Sequence, residues 1–135
     1  MKTVNVKGLD ISVLSLGTVQ LGLSYGINNA DGKPSQDTAN AILNCALENG
    51  INTLDTAGAY GDSEVVIGNW LKTIPQEKRP FIVTKAAQLD HTSLDALRKD
   101  LFGRGKSSKE RLGVEKLDML MLHHFDDYLC DKENV

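Results

Sequence analysis

Basic residues do not outnumber acidic ones in this 135-residue chain, cysteine and proline are scarce, and no apolar run is long. Fifteen Lys and Arg against eighteen Asp and Glu leave a formal net charge of −3. That provides no positive field for nucleic acid or an anionic membrane surface, so neither is expected as a partner. The two cysteines, Cys45 and Cys130, lack CxxC spacing, which argues against a zinc ligand set and a disulfide framework. Cys45 falls within an apolar helical pattern and is expected to be a small buried hydrophobe. Polar residues break every apolar stretch of the opening MKTVNVKGLDISVLSLG, so neither a signal peptide nor a membrane span is predicted. These absences point to a soluble protein of the cytoplasm. The 41% hydrophobic and 24% charged content is that of a globular fold and excludes wholesale disorder.

What is there is an alternation of short elements. Thr3 to Val6 and Leu9 to Val13 bracket Lys7-Gly8 and read as an opening hairpin. Val13 to Leu16 is a short apolar strand closed by Gly17, and a Gly/Asn/Asp/Pro-rich stretch from Gly22 to Pro34 is a long loop. Ser35 caps a helix whose apolar stripe is Ala39, Ile42, Leu43, Ala46 and Leu47, ended by Gly50. Ile51 to Leu54 follows as a strand. Ser63 opens a second helix with Val66, Ile67, Trp70 and Leu71 inward, and Phe81 to Thr84 is a third strand. Helical material covers Ser93 to Leu101 and Ser107 to Leu112, interrupted around Gly103 and Gly105, and Leu117 to Leu122 is a fourth strand. Strands alternating with helices mean parallel pairing with helical crossovers.

Two architectures meet that pattern: an open doubly wound sheet, or part of an eight-stranded barrel. The open sheet's dinucleotide-binding form calls for GxGxxG after its first strand, where this sequence reads LGTVQLGLSYG. Polar residues instead gather just past each strand: Gly17-Thr18, Asp55, Lys85 and His123. Function at the carboxyl end of every strand is the habit of a (β/α)8 barrel. Such a barrel takes about 250 residues, so residues 1–135 are expected to form one truncated domain. It comprises the hairpin and about four parallel strands with their crossover helices.

If those strands are neighbours, Asp55, Tyr60, Lys85 and His123 converge on the barrel mouth. The set suits carbonyl reduction. Hydride addition leaves an alkoxide that needs a proton, and a tyrosine can give one where a neighbour favours its phenolate. A lysine ammonium does this, and an aspartate beside it keeps the lysine charged and in place. A neutral histidine can donate to the carbonyl oxygen, orienting it as charge develops.

At these residues the chain resembles the aldo-keto reductase family. GINTLDTAGAYGDSEVVIG (Gly50 to Gly68) is similar to its second-strand signature, and IVTK, ending at Lys85, to its lysine strand. ERLGVEKLDMLMLH (Glu110 to His123) resembles its fourth-strand entry, and LGTVQLG (Leu16 to Gly22) its first strand. The resemblance implies a (β/α)8 barrel that reduces small aldehydes or ketones with NADPH, NADH being left open. It implies Tyr60 as proton donor, Lys85 and Asp55 as its partners, and His123 as the carbonyl-orienting residue. Gly17, Thr18 and Asp55 would lie near the nicotinamide and its ribose. In such barrels much of the cofactor is gripped by the second half, so this chain alone is expected to be inactive. It is also expected to self-associate through its open sheet edges. A reductase-like binding or regulatory subunit that keeps the four residues without turnover is the alternative.

HHFDDY offers four possible metal ligands. However, adjacent histidines on a strand point to opposite faces and cannot easily clamp one ion, so no metal site is expected. His124 is read as helix-side packing, Asp126 and Asp127 as loop residues or caps, and Arg104 to Arg111 as a solvated helix start. Gly58 and Gly61 serve the tight loop holding Tyr60, and Trp70 packs a helix on the barrel.

Overall fold

Ser12 is where the chain leaves its hairpin and enters the sheet. The computed structural model describes residues 1–6, 8–27 and 29–129; Cys130 lies outside them. Strands β1 (Thr3–Val6) and β2 (Leu9–Ser12) pair antiparallel, from Thr3 opposite Ser12 to Val6 opposite Leu9. Buried Ser12 then donates its backbone N–H to Asn52 Oδ1 at 2.8 Å, and its hydroxyl accepts from Asn52 N–H at 3.1 Å. Those bonds dock the hairpin at the amino-terminal end of the sheet.

Four strands follow in parallel: β3 (Leu16–Gly17), β4 (Thr53–Asp55), β5 (Phe81–Ala86) and β6 (Met119–Leu122), in the spatial order β3-β4-β5-β6. The first barrel strand is thus shorter than the expected run from Val13 to Leu16; Val13 and Leu14 are exposed. Between the strands lie one turn of helix α1 (Val19–Gly22), α2 (Gln36–Glu48), α3 (Ser63–Leu71) and α4 (Leu94–Leu112), with α5 (Asp126–Leu129) after β6. The expected architecture, parallel strands with helical crossovers of the barrel type, is the one observed.

Register explains which side is covered. Leu16 pairs with Leu54 and Leu54 with Ile82, a row that points at the helices and joins Leu43, Ile67 and Trp70 in the core. Trp70 is 1% exposed and donates its indole N–H to Asn44 Oδ1 at 2.8 Å, which satisfies the one polar atom that burial would penalise. The next row, Gly17, Asp55 and Val83, faces the other way. Among the described residues that face carries no helix, and at β6 it leaves Met119 and Met121 at 42% and 45% exposure.

Two helices correct the sequence reading. α4 is one helix of 19 residues, with no interruption at Gly103 or Gly105. Its Ser93 cap accepts from Ala96 N–H, and Gly113 closes it in the left-handed conformation. Each internal glycine costs about 1 kcal/mol against alanine, and packing overrides this. Gly105 is buried where an added Cβ would stand 3.3 Å from Leu120 of β6. Arg104 to Arg111 is therefore the carboxyl-terminal half of α4 rather than a helix start. In α2 the buried stripe is narrower than expected. Ala39, Leu43 and Ala46 are buried, whereas Ile42 is 41% exposed. Cys45, about 200° round the helix from Leu43, is exposed rather than buried. No helix among the described residues is long and apolar enough to cross a membrane.

Candidate active site

Parallel register brings the first two site residues together. Asp55 pairs with Val83, and Lys85 stands two residues further along β5 on the same face. Lys85 Nζ consequently reaches Asp55 Oδ1 at 2.5 Å and also donates to Thr56 O at 3.1 Å. Tyr60 comes from the loop after β4, which is pinned at both ends. Thr56 N–H donates to Val83 O at 2.9 Å and Gly58 N–H to Lys85 O at 3.1 Å, so the loop folds back over the end of β5. Tyr60 O then accepts from Ser63 N–H at 3.0 Å as α3 begins. The result places Lys85 Nζ 5.2 Å from the centre of the Tyr60 ring.

His123 arrives from the neighbouring strand. Its N–H donates to Ala86 O at 2.7 Å, which continues the β5–β6 ladder one step beyond β6. Its ring meets Tyr60 edge to face, centroids 5.6 Å apart at 88°. Burial holds the imidazole below its usual pKa, helped by His124 and Lys85, while Asp55 and Asp127 pull the other way. All four residues are half-buried, open enough to meet a ligand and enclosed enough for their charges to matter. An open depression of about 1300 Å³ under the long loop, lined by Gln20, Tyr25, Lys33 and Ile42, includes none of the four.

The chain matches the sequence model of the Aldo/keto reductase family over residues 13–133. It belongs to the aldo-keto reductase family. Among curated relatives, aldo-keto reductase str7 of Strobilurus tenacellus is 32% identical over 122 residues, covering 87% of this chain and 34% of that protein. An aldo-keto reductase from Pseudomonas aeruginosa superposes with a TM-score of 0.75 at 29% identity, covering 94% of this chain and 48% of that one. A Klebsiella pneumoniae aldo-keto reductase solved with NADPH shares the fold at a TM-score of 0.66 and 24% identity, over 90% of this chain and 39% of its own. The chain thus spans about a third to a half of the length of these relatives.

Within this reductase-family mouth, the two cofactor-side candidates at the end of β3 differ in their surroundings. Gly17 is exposed and has nothing within 4 Å of where a Cβ would stand. Thr18 is 1% exposed, and its hydroxyl donates to Asp55 O at 2.8 Å. Ser63 Oγ lies 2.9 Å from Thr18 O and accepts from Thr56 Oγ1 at 3.0 Å. Thr18 therefore anchors the Asp55 backbone, and its side chain is spent doing so.

A second set of polar residues escaped the sequence reading. Glu64, 1% exposed, accepts from Thr84 Oγ1 and from Arg111 Nε, each at 2.6 Å. Arg111, read as part of a solvated segment, instead reaches inward, with Nη2 3.2 Å from where a Cβ on Gly58 would stand. The available signal was that Glu64 is the sole charge in SEVVIGNWL. Gly22 plays a related part: a Cβ there would stand 1.8 Å from Tyr60 O, so only glycine lets the first loop approach the tyrosine loop.

HHFDDY also differs from expectation. β6 ends at Leu122, so strand alternation no longer governs the histidines, and their rings stack at 4.9 Å. His124 is exposed rather than packed under a helix, and Asp127 is buried and bonded to His91 at 2.7 Å. Among the described residues no group of three or more His, Cys, Asp and Glu is placed to hold a metal ion.

Proposed function

We propose that the chain forms the amino-terminal, proton-donating half of an NADPH-dependent reductase of small aldehydes or ketones, working in the cytoplasm. The observation that carries this reading is the Lys85 ammonium, bonded to Asp55 and 5.2 Å from the Tyr60 ring. Tyr60 gives its hydroxyl proton to the carbonyl oxygen as that oxygen gains charge. Lys85 favours the phenolate left behind, and Asp55 keeps Lys85 charged and aimed. His123 orients the carbonyl from the β6 side. When bound, the reduced nicotinamide supplies the hydride that goes to the carbonyl carbon. The residues fit such a group: Gly17 leaves open space on the Asp55 face of the sheet, and the Asp55 carboxylate beside it is an acceptor for ribose hydroxyls. Thr18 contributes by holding Asp55.

In this reading the remaining barrel strands cover the face where Met119 and Met121 are exposed and complete the cofactor grip. The 135-residue chain by itself then turns over no substrate and self-associates through that face and its two outer strands. Sedimentation showing a stable monomer with NADPH-dependent activity overturns this part. The catalytic part is tested by NADPH oxidation with a generic aldehyde in the full-length protein and in Tyr60→Phe. Turnover that depends on Tyr60 supports it, and turnover indifferent to Tyr60 removes it. Tight NADPH binding with no product favours a regulatory subunit instead.

A further inference from the structure

A cavity of about 150 Å³ lies between the Tyr60 loop and α4, apart from both the mouth and the long loop. Gly58 walls it from the tyrosine loop, Gln88 from the chain after β5, and Arg104, Ser107, Ser108 and Arg111 from α4. Those four α4 residues stand at i, i+3, i+4 and i+7, the spacing that lines up one face of a helix. No aspartate or glutamate lines the cavity, in a chain whose formal net charge is −3. Lys85 borders it too, but its ammonium is already bonded to Asp55 and Thr56 O.

Each guanidinium is aimed by some of its donors and keeps others. Arg111 Nε donates to Glu64 at 2.6 Å, and its Nη2 has only a long contact of 3.4 Å with Ser108 Oγ. Arg104 Nε lies 3.4 Å from Asp100, and its Nη2 donates to Gln88 O at 3.1 Å. A guanidinium carries five N–H donors in one plane, so these bonds leave donors over on both side chains. The half-buried Ser107 hydroxyl makes no hydrogen bond to the described residues. Gln88 is the one non-glycine among them with a positive φ, 57°, a conformation that a Cβ disfavours, and Arg104 holds it there. Gly58 keeps the remaining wall open: a Cβ on it would stand 3.2 Å from Arg111 Nη2.

We propose that this cavity binds a small tetrahedral oxyanion, either inorganic phosphate or the phosphoryl group of a phosphomonoester. At about 30 Å³ for each water, the space takes about five waters, or one such anion with part of its hydration. Planar guanidinium edges match phosphate oxygens, and serine hydroxyls add neutral donors beside them. The site is distinct from the positions proposed for carbonyl and nicotinamide. Arg111 and its partner Glu64 stand with Thr84 on the helix side of β5, whereas Lys85 and Asp55 meet on the other. Because Gly58 forms one wall, an occupant bridges the loop that carries Tyr60 to α4. The assignment does not depend on the reductase reading.

The test is isothermal titration of the full chain in low-salt buffer with inorganic phosphate, then with methyl phosphate. Saturable binding of phosphate at one site is expected. Arg104→Gln should weaken it about tenfold or more, the loss of a charge-assisted bond, and at 43% exposure its replacement leaves the fold intact. Ser107→Ala should weaken binding as well. Lys106→Gln removes the same charge from the same stretch of α4, at a side chain 80% exposed and outside the cavity, and should leave the affinity unchanged. Absence of saturable binding overturns the proposal, since the cavity then holds only water. Equal weakening by Arg104→Gln and Lys106→Gln also overturns it, since binding is then diffuse attraction rather than a site. Methyl phosphate binding as tightly as phosphate supports the site with a phosphomonoester as its ligand, and selective binding of phosphate supports it with the free ion.

Discussion

Thr84 and Lys85 are adjacent on β5, point to opposite faces, and live in different chemical surroundings. On the helix side, the Thr84 hydroxyl goes to Glu64, which also takes Arg111, in a cluster where the carboxylate is 1% exposed. On the mouth side, the Lys85 ammonium goes to an Asp55 whose side chain is 39% exposed, beneath a half-buried tyrosine. The contrast separates holding from reacting. The helix-side carboxylate has both oxygens in use and can only hold elements together. The mouth-side groups are partly solvated and face open space, the condition under which a proton or a ligand can be exchanged. Stability should therefore depend on the first set and chemistry on the second.

Glu64→Leu should break the comparison most severely on the stability side. It strands the Arg111 guanidinium and the Thr84 hydroxyl, and with Arg111 about a third exposed the expected loss is about 2–3 kcal/mol, read as a denaturant midpoint. Gly22→Ala links the two sides, because its methyl meets the Tyr60 carbonyl. A loss of about 1–3 kcal/mol is expected, with reductase turnover falling alongside as Tyr60 moves. Lys85→Met sharpens the contrast from the mouth. A partly exposed pair contributes no more than about 1 kcal/mol, so the variant should unfold nearly as the parent does while losing turnover in the full-length protein.

The smallest effect is a pH dependence. Folded His123 has a pKa held below the ordinary 6.5, chiefly by burial. As pH falls from that ordinary value through the folded one, the unfolded chain takes up a proton that the folded one resists, so His123 lowers stability toward acid and leaves it undiminished above. Denaturant midpoints at pH 5 and 7.5 should therefore differ less in His123→Gln than in the parent.

How much of this was legible before the structure follows the same division. Asp55, Lys85 and His123 sit at or just past strand ends and Tyr60 in the loop after β4, where hydrophobic alternation and turn signals mark the position, so the four could be placed from local pattern. Glu64 and Arg111 are 47 residues apart on different helices, and no local pattern encodes that pairing. The continuity of α4 failed for a similar reason. Gly103 and Gly105 are helix breakers by propensity, and the packing of Gly105 against Leu120 is a long-range fact. Thr18 was placed near the cofactor by family resemblance alone, and that its buried hydroxyl donates to the Asp55 carbonyl is a contact across strands that no local pattern encodes. The stacked histidines were missed because the strand ended one residue before them.

The central claim is that Tyr60 delivers the proton in carbonyl reduction. The most direct measurement is the steady-state rate of NADPH oxidation with a simple aldehyde, compared between the full-length protein and its Tyr60→Phe variant. A positioned proton donor contributes on the order of 100-fold or more, so the variant should lose at least that much turnover while keeping its denaturant midpoint. Equal rates in the two proteins would contradict the account.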